Sequence, residues 1–198
     1  MISHEHKCIF IHIPRTAGTS IEKMICGKDW WNEDRGKTKH ITANTAKKIY
    51  SEYWDEYFKF SFVRNPWSRM VSLSKWPDFY GCKVKDGKIN VDEYIKKYYP
   101  QEIDPRSRSA KNKDPEPIEN SIYLNILNEE IDYIGRFENL KNDITYVCEK
   151  IRLKNKLLPH SQKGNLETSN YQKFYDEESA SKVKNIYEKD IERFGYSF

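Results

Sequence analysis

Three short runs dense in β-branched and aromatic residues, Lys7–Ile13, Phe58–Arg64 and Ile131–Phe137, set the main limit on how this chain can fold. Runs of this length and composition read as buried strands. Helical patterns separate them: Thr19–Cys26 after the first, Thr42–Tyr50 with a Thr cap, and Trp67–Trp76 just after a proline suited to a first helical turn. Leu140, Ile144, Val147, Cys148 and Ile151 make one apolar helix face capped by Asn139. Val183, Ile186, Tyr187, Ile191 and Phe194 repeat the pattern, with Gly195 placed to stop that helix. Strands alternating with helices predict an α/β fold with a central, mainly parallel sheet in a three-layer α/β/α arrangement. At 198 residues, one domain over 1–198 is expected.

The stretch 77–120 breaks the pattern. It carries Gly81, Gly87, Pro100, Pro105, Pro115 and Pro117, many charges, and one helical pattern over Val91–Tyr99. A long irregular insertion of this kind is either a mobile surface loop or an acceptor-facing lid.

Aromatic residues reach 14%, which supplies large pieces to pack and argues against disorder. Lys plus Arg exceed Asp plus Glu by 34 to 30, a net charge of +4. That excess is too small for coating a polyanion, so no nucleic-acid partner is expected, but it suits an anionic small ligand where the basic groups converge. No run is long and apolar enough for a membrane span, and Met1–Lys7 lacks a signal-peptide pattern. His4 and His6 are expected in a frayed N-terminus. Cys8, Cys26, Cys82 and Cys148 have no metal-ligand spacing, and Cys8 and Cys148 read as small buried hydrophobes. A cytoplasmic, metal-free protein is the expectation.

The segment from Phe10 to Ser20 runs from strand through Pro14-Arg15-Thr16-Ala17-Gly18 into a helix near Thr19. A turn of this kind presents backbone N–H groups at a helix N-terminus, where an anion is favoured. Ala17 and Gly18 let phosphate oxygens approach the main chain, Thr19 and Ser20 offer hydroxyls, and Arg15 adds a cationic fork. The loop is Walker-like without being a Walker loop, because the GxxxxGK[ST] spacing is absent and the cation precedes the glycine. An ordinary strand-to-helix turn capped by Thr19 is the alternative.

The second strand ends in Arg64-Asn65-Pro66-Trp67-Ser68-Arg69 and continues as helix through Ser72. A nucleotide triphosphatase would place a magnesium-holding acid here. An arginine favours direct binding of an anion, with Arg64 and Ser72 reaching one phosphate. Arg69 is equally suited to pairing with a carboxylate on the domain surface.

Together the two segments resemble the sulfotransferase superfamily, in particular its carbohydrate (2-O-sulfotransferase-like) branch. Phe10–Ser20 is similar to that family's FIHIPKTAGTS-like loop, except that Arg15 stands where lysine is usual. Phe62–Ser72 is similar to its FVRNPWxRxxS-like segment, and Ile134–Leu140 and the ending from Tyr175 to Tyr196 are also family-like. The resemblance implies a P-loop-like sulfotransferase fold and 3′-phosphoadenosine 5′-phosphosulfate (PAPS) as sulfate donor. It assigns Arg15, Thr16, Ala17, Gly18, Thr19 and Ser20 to the 5′-phosphosulfate, Arg64 and Ser72 to the 3′-phosphate, and Lys163, in the 159–164 loop, to a further contact. Arg15 keeps the family lysine's charge but not its point geometry, which bears on rate more than on binding.

In-line sulfuryl transfer needs a cation and N–H groups at the leaving oxygen, and a base for the acceptor hydroxyl. His40 lies where related carbohydrate enzymes place a catalytic His or Glu; the alternative is a helix-capping surface imidazole. Glu22 and Glu56 are the other bases, His12 reads as a satisfied core histidine, and His160 sits by the late loop. For a carbohydrate or glycolipid acceptor, Trp76, Tyr80, Tyr94, Tyr98 and Tyr99 offer stacking faces, and Arg106, Arg108, Lys111 and Lys113 offer charge. The competing readings are a non-catalytic nucleotide- or sulfated-ligand-binding module on the same fold and, more remotely, a magnesium-dependent P-loop kinase.

Overall fold

The structure, a computed structural model, describes residues 1–33, 36–111, 114–154 and 168–198. In chain order the elements are β1 (Ile2–Ser3), β2 (Cys8–Ile11), α1 (Gly18–Cys26), α2 (Ala43–Ile49), α3 (Ser51–Trp54), β3 (Phe58–Val63), α4 (Pro66–Leu73), α5 (Pro77–Tyr80), β4 (Lys83–Lys85), β5 (Lys88–Asn90), α6 (Asp92–Tyr98), α7 (Tyr123–Ile126), β6 (Tyr133–Arg136), α8 (Leu140–Lys150), α9 (Glu177–Ile186) and α10 (Glu188–Phe194). They group into two compact units. The first draws on Met1–Val63, Ile103–Pro115 and Ile126–Gln162, the second on Arg64–Glu102, Glu116–Asn125 and Lys163–Phe198.

The first unit holds a sheet in the order β1-β2-β3-β6. β2 pairs parallel with β3 (Phe10 opposite Phe60), β3 pairs parallel with β6 (Phe62 opposite Gly135), and β1 is an antiparallel edge. The fold is thus α/β with a mainly parallel sheet, as the alternating pattern predicts. β2 is buried at every position, as befits a parallel strand covered on both faces. On one face Cys8, Phe10, Phe60 and Phe62 pack against Ile21 and Ile25 of α1 and Ile144, Val147 and Cys148 of α8. Gly135 is required by this packing: a Cβ there would stand 2.5 Å from the Phe62 ring. The loop after β2 leaves the sheet at the carboxyl end of that parallel strand, where α/β folds place ligands.

Several local expectations change. Met1–Lys7 is not frayed: Ile2–Ser3 pairs with β2, Met1 is buried in the core, and His4 Nδ1 lies 3.0 Å from the Tyr57 hydroxyl. Thr42 caps α2 as expected, its side chain accepting from the Thr45 N–H. Asn139 holds the N-cap position of α8 without a side-chain cap bond; its amide donates instead to Asp143. The apolar face from Val183 to Phe194 spans two helices broken at Tyr187, and Gly195, at φ 62°, ends the second. Cys8 and Cys148 are buried, and burial pushes the Cys8 thiol up to about 12.

In the second unit α5, the β4–β5 hairpin and α6 occupy the first half of the stretch read as an irregular insertion, 77–98. Residues 103–115 of that stretch belong to the first unit, where the Arg108 N–H donates to the Lys37 carbonyl (2.8 Å) and the Thr42 N–H to Ser109 Oγ (2.9 Å).

Candidate active site

In the first unit, the loop between β2 and α1 turns through two left-handed residues, Arg15 at φ 69° and Ala17 at φ 72°. Ala17 is the N-cap of α1, and having no polar side chain it makes no cap bond; the first turn carries no acid. The N–H groups of Ser20 and Ile21 reach the Ala17 carbonyl, at 2.9 and 3.1 Å. Those of Gly18 and Thr19 precede the helical ladder and sit at the positive end of the helix dipole. Thr16 is fully buried and its hydroxyl donates to the Ile13 carbonyl (2.8 Å), so that side chain shapes the loop. The donor set suits an anion: backbone N–H groups, the Thr19 and Ser20 hydroxyls, and the half-buried Arg15.

The loop rests on a polar cluster. The His12 imidazole lies directly under Gly18, and its Nδ1 is 2.6 Å from Glu22 Oε1. Glu22 also accepts from the Trp30 N–H (3.1 Å) and from Lys39 Nζ (2.8 Å). Lys39 is buried as well, and it donates to Asp29 and to Thr19 Oγ1 (3.3 Å). Burial lowers the His12 pKa to about 4, against the pull of Glu22, so the ring is neutral and donates its Nδ1 proton. Burial also opposes ionisation of Glu22, but His12 and Lys39 outweigh it and hold the carboxyl well below the usual range. A carboxylate so deeply buried, so low in pKa and occupied by three donors is not a general base, which removes Glu22 from that role. Glu56, the other alternative, is exposed beyond α3.

His40 is next to this cluster. Its ring stands edge-on to His12, with centroids 4.7 Å apart, and edge-on to Trp31 at 5.3 Å. Its side chain is 10% exposed, which is not the exposure of a surface capping imidazole. His40 Nδ1 is 3.3 Å from Asp104 Oδ2. Asp104 in turn accepts from Arg106: the backbone N–H (2.9 Å) and Nε (3.0 Å) on Oδ1, and Nη2 (3.0 Å) on Oδ2. The Arg106 guanidinium covers the Trp31 ring at 4.4 Å. Trp31, Lys39 and Asp104 are the site residues that sequence reasoning missed.

The second unit holds the other arginine group. Arg64 is buried, and its Nε and Nη2 donate to Ser68 Oγ at 3.0 and 2.9 Å. Ser68 sits in the first turn of α4, where its N–H is capped by Asn65 (3.2 Å); Ser72 is one turn further on the same face, also buried. Arg69 does pair with a carboxylate, but in the interior: Nη2 donates to both oxygens of Glu102 (2.8 and 2.9 Å) and Nη1 to the Tyr187 hydroxyl (2.6 Å). Tyr80, Tyr94 and Tyr98 are buried, so none offers a stacking face to an acceptor. Trp76 is 52% exposed, and the half-buried Tyr99 donates its hydroxyl to Asn120 (2.8 Å). Arg106, Arg108 and Lys111 lie in the first unit, whereas Lys113, His160 and Lys163 fall outside the described residues.

Two relatives of this chain bear on its family. A carbohydrate sulfotransferase 14 of Danio rerio is 23% identical over 175 residues, 76% of this chain; the match spans about half of that relative's length, 47%. An uncharacterised protein of Archaeoglobus fulgidus is 28% identical over 124 residues, covering 59% of this chain and 82% of its own. No solved structure matches. The model of the sulfotransferase family matches residues 1–197, and the chain therefore belongs to the sulfotransferase family.

Proposed function

We propose that the protein transfers a sulfuryl group from PAPS to a hydroxyl of a carbohydrate-type acceptor, with His40 as the base. The observation that carries this reading is the sequence of contacts from Gly18 through the His12 ring to the His40 ring. It supports the reading because the His40 imidazole is one ring away from a helix N-terminus whose donors suit an anion. The zebrafish relative's name supports the carbohydrate acceptor.

On this reading the N–H groups of Gly18 and Thr19 and the Arg15 guanidinium face the leaving phosphate and stabilise the charge it gains as its bond to sulfur breaks. His40 takes the proton of the acceptor hydroxyl as that oxygen bonds to sulfur. In the second unit Arg64 and Ser72, with Ser68 between them, are assigned the 3′-phosphate. Arg15, a planar fork in place of a compact ammonium, spreads its charge more widely over the leaving oxygen.

Titration calorimetry with adenosine 3′,5′-bisphosphate in EDTA is the first test. Binding is expected without magnesium, weakened on the order of tenfold or more by Arg64→Ala; unchanged affinity in that variant removes the phosphate assignment. The second test is transfer of radiolabelled sulfate to an oligosaccharide panel, where His40→Ala is expected to lose on the order of 100-fold in kcat. Donor binding without transfer to any acceptor favours the non-catalytic module that the Arg15 departure allows.

A further inference from the structure

We propose that Asp104 is the positioning residue for His40: it fixes the imidazole proton on Nδ1 and leaves Nε2 as the basic atom. The inference rests on His40 acting as the base and adds how that base is prepared. Asp104 Oδ2 is the polar partner of His40 Nδ1, at 3.3 Å. The carboxylate is in turn immobilised by three donors from Arg106, two on Oδ1 and one on Oδ2. Asp104 is buried, and burial works to raise its pKa. The hydrogen bonds from His40 and Arg106 more than offset this and hold the carboxyl well below its ordinary value. An ionised carboxylate only accepts, so the proton between the two residues belongs to the imidazole. His12 and Trp31, both edge-on to the ring, oppose its rotation away from this partner.

The two oxygens of Asp104 are not equivalent, which makes Asp104→Asn a sharp test. Oδ1 takes two Arg106 donors and Oδ2 takes one, so an asparagine keeps its carbonyl on the Oδ1 side. Its NH2 then faces His40 Nδ1 and donates to it, forcing the ring proton onto Nε2, the tautomer that cannot accept from an acceptor hydroxyl.

Nitrogen-15 spectra of histidine-labelled protein in alkaline buffer, with the His40 signals assigned by their loss in His40→Ala, read the tautomer directly. The native protein is expected to show His40 protonated on Nδ1; protonation on Nε2 overturns the proposal with no variant needed. In Asp104→Asn the proton is expected on Nε2, kcat is expected to fall on the order of 100-fold, and the affinity for adenosine 3′,5′-bisphosphate is expected to stay within about twofold. Arg106→Met, which keeps the side-chain stem over Trp31 and removes the clamp, is expected to fall between the two and serves if Asp104→Asn does not fold. If His40→Ala abolishes transfer while Asp104→Asn keeps the native kcat, the positioning role is wrong and the base assignment stands. If His40→Ala leaves transfer intact, the base assignment itself is wrong.

Discussion

The His12 imidazole and the α-carbon of Gly18 are in direct contact, so close that a Cβ on Gly18 would lie 2.1 Å from both Cδ2 and Nε2 of the ring. The ring cannot retreat, because its Nδ1 is held by Glu22. Gly18→Ala must therefore displace the start of α1 and the N–H groups of the loop. The expected result is a loss on the order of tenfold or more in affinity for adenosine 3′,5′-bisphosphate, with about 1–3 kcal/mol of stability lost to overpacking. Calorimetry and urea unfolding measure the two effects, and native affinity in Gly18→Ala contradicts the role given to this contact.

Lys39 is buried between two carboxylates, Glu22 and Asp29. Removing one member of a buried ionic cluster leaves the remaining charge uncompensated. Lys39→Met is therefore expected to destabilise by about 3–5 kcal/mol in urea unfolding. Adding Glu22→Gln removes one orphaned charge and is expected to recover part of the loss. A double variant no more stable than Lys39→Met shows that the lysine acts through packing alone.

How much of this was legible in the sequence depended on how local each cause is. β2 was legible as an unbroken apolar run, β3 because phenylalanines recur at every second position around Lys59 and Ser61, and Thr42 because a cap acts three residues away. The Arg15–Ser20 loop was legible for the same reason: its N–H groups, small residues and cation are contiguous. The break at Tyr187 was not, since the apolar periodicity runs straight through it. His40 and Asp104 are 64 residues apart, and Lys39 and Glu22 are 17 apart. Such pairs exist only once the sheet has set the positions of the loops, and a lysine in a basic stretch carries no local sign of burial. The α6 pattern was legible, but the burial of Tyr80, Tyr94 and Tyr98 was hidden likewise, because the groups that meet these rings, such as Glu102 and Tyr187 at the Tyr94 hydroxyl, are set by tertiary structure.

That buried arginine carries its own prediction. Arg69 donates to both oxygens of Glu102 and to the hydroxyls of Tyr94 and Tyr187, with its side chain fully out of solvent. Arg69→Met leaves Glu102 buried and unpaired, with an expected cost of about 3–5 kcal/mol. Arg69→Met combined with Glu102→Leu exchanges the ion pair for apolar contact and is expected to regain most of that stability. Equal losses in the single and double variants, measured in urea, refute the charge-based account.

Stability should fall as the solution is acidified, and His12 sets the upper part of that window. Its ordinary pKa is 6.5, and in the folded protein burial lowers it to about 4. Between those values the unfolded chain binds a proton that the folded chain refuses, so each step down in pH favours unfolding. At about 1.4 kcal/mol per unit, the full passage costs about 3 kcal/mol. Glu22 and Asp104 act in the same direction lower down. Their folded pKa values are depressed from ordinary values of 4.5 and 3.8, so the stability they contribute is present above those values and is lost as pH falls through the folded ones. His12→Gln can keep a donor for Glu22 but cannot titrate. Its unfolding free energy, measured in urea from neutral pH down to pH 4, is expected to decline by about 3 kcal/mol less than the native protein's. Parallel curves would mean that the imidazole under Gly18 takes up its proton in the folded state as readily as in the unfolded one.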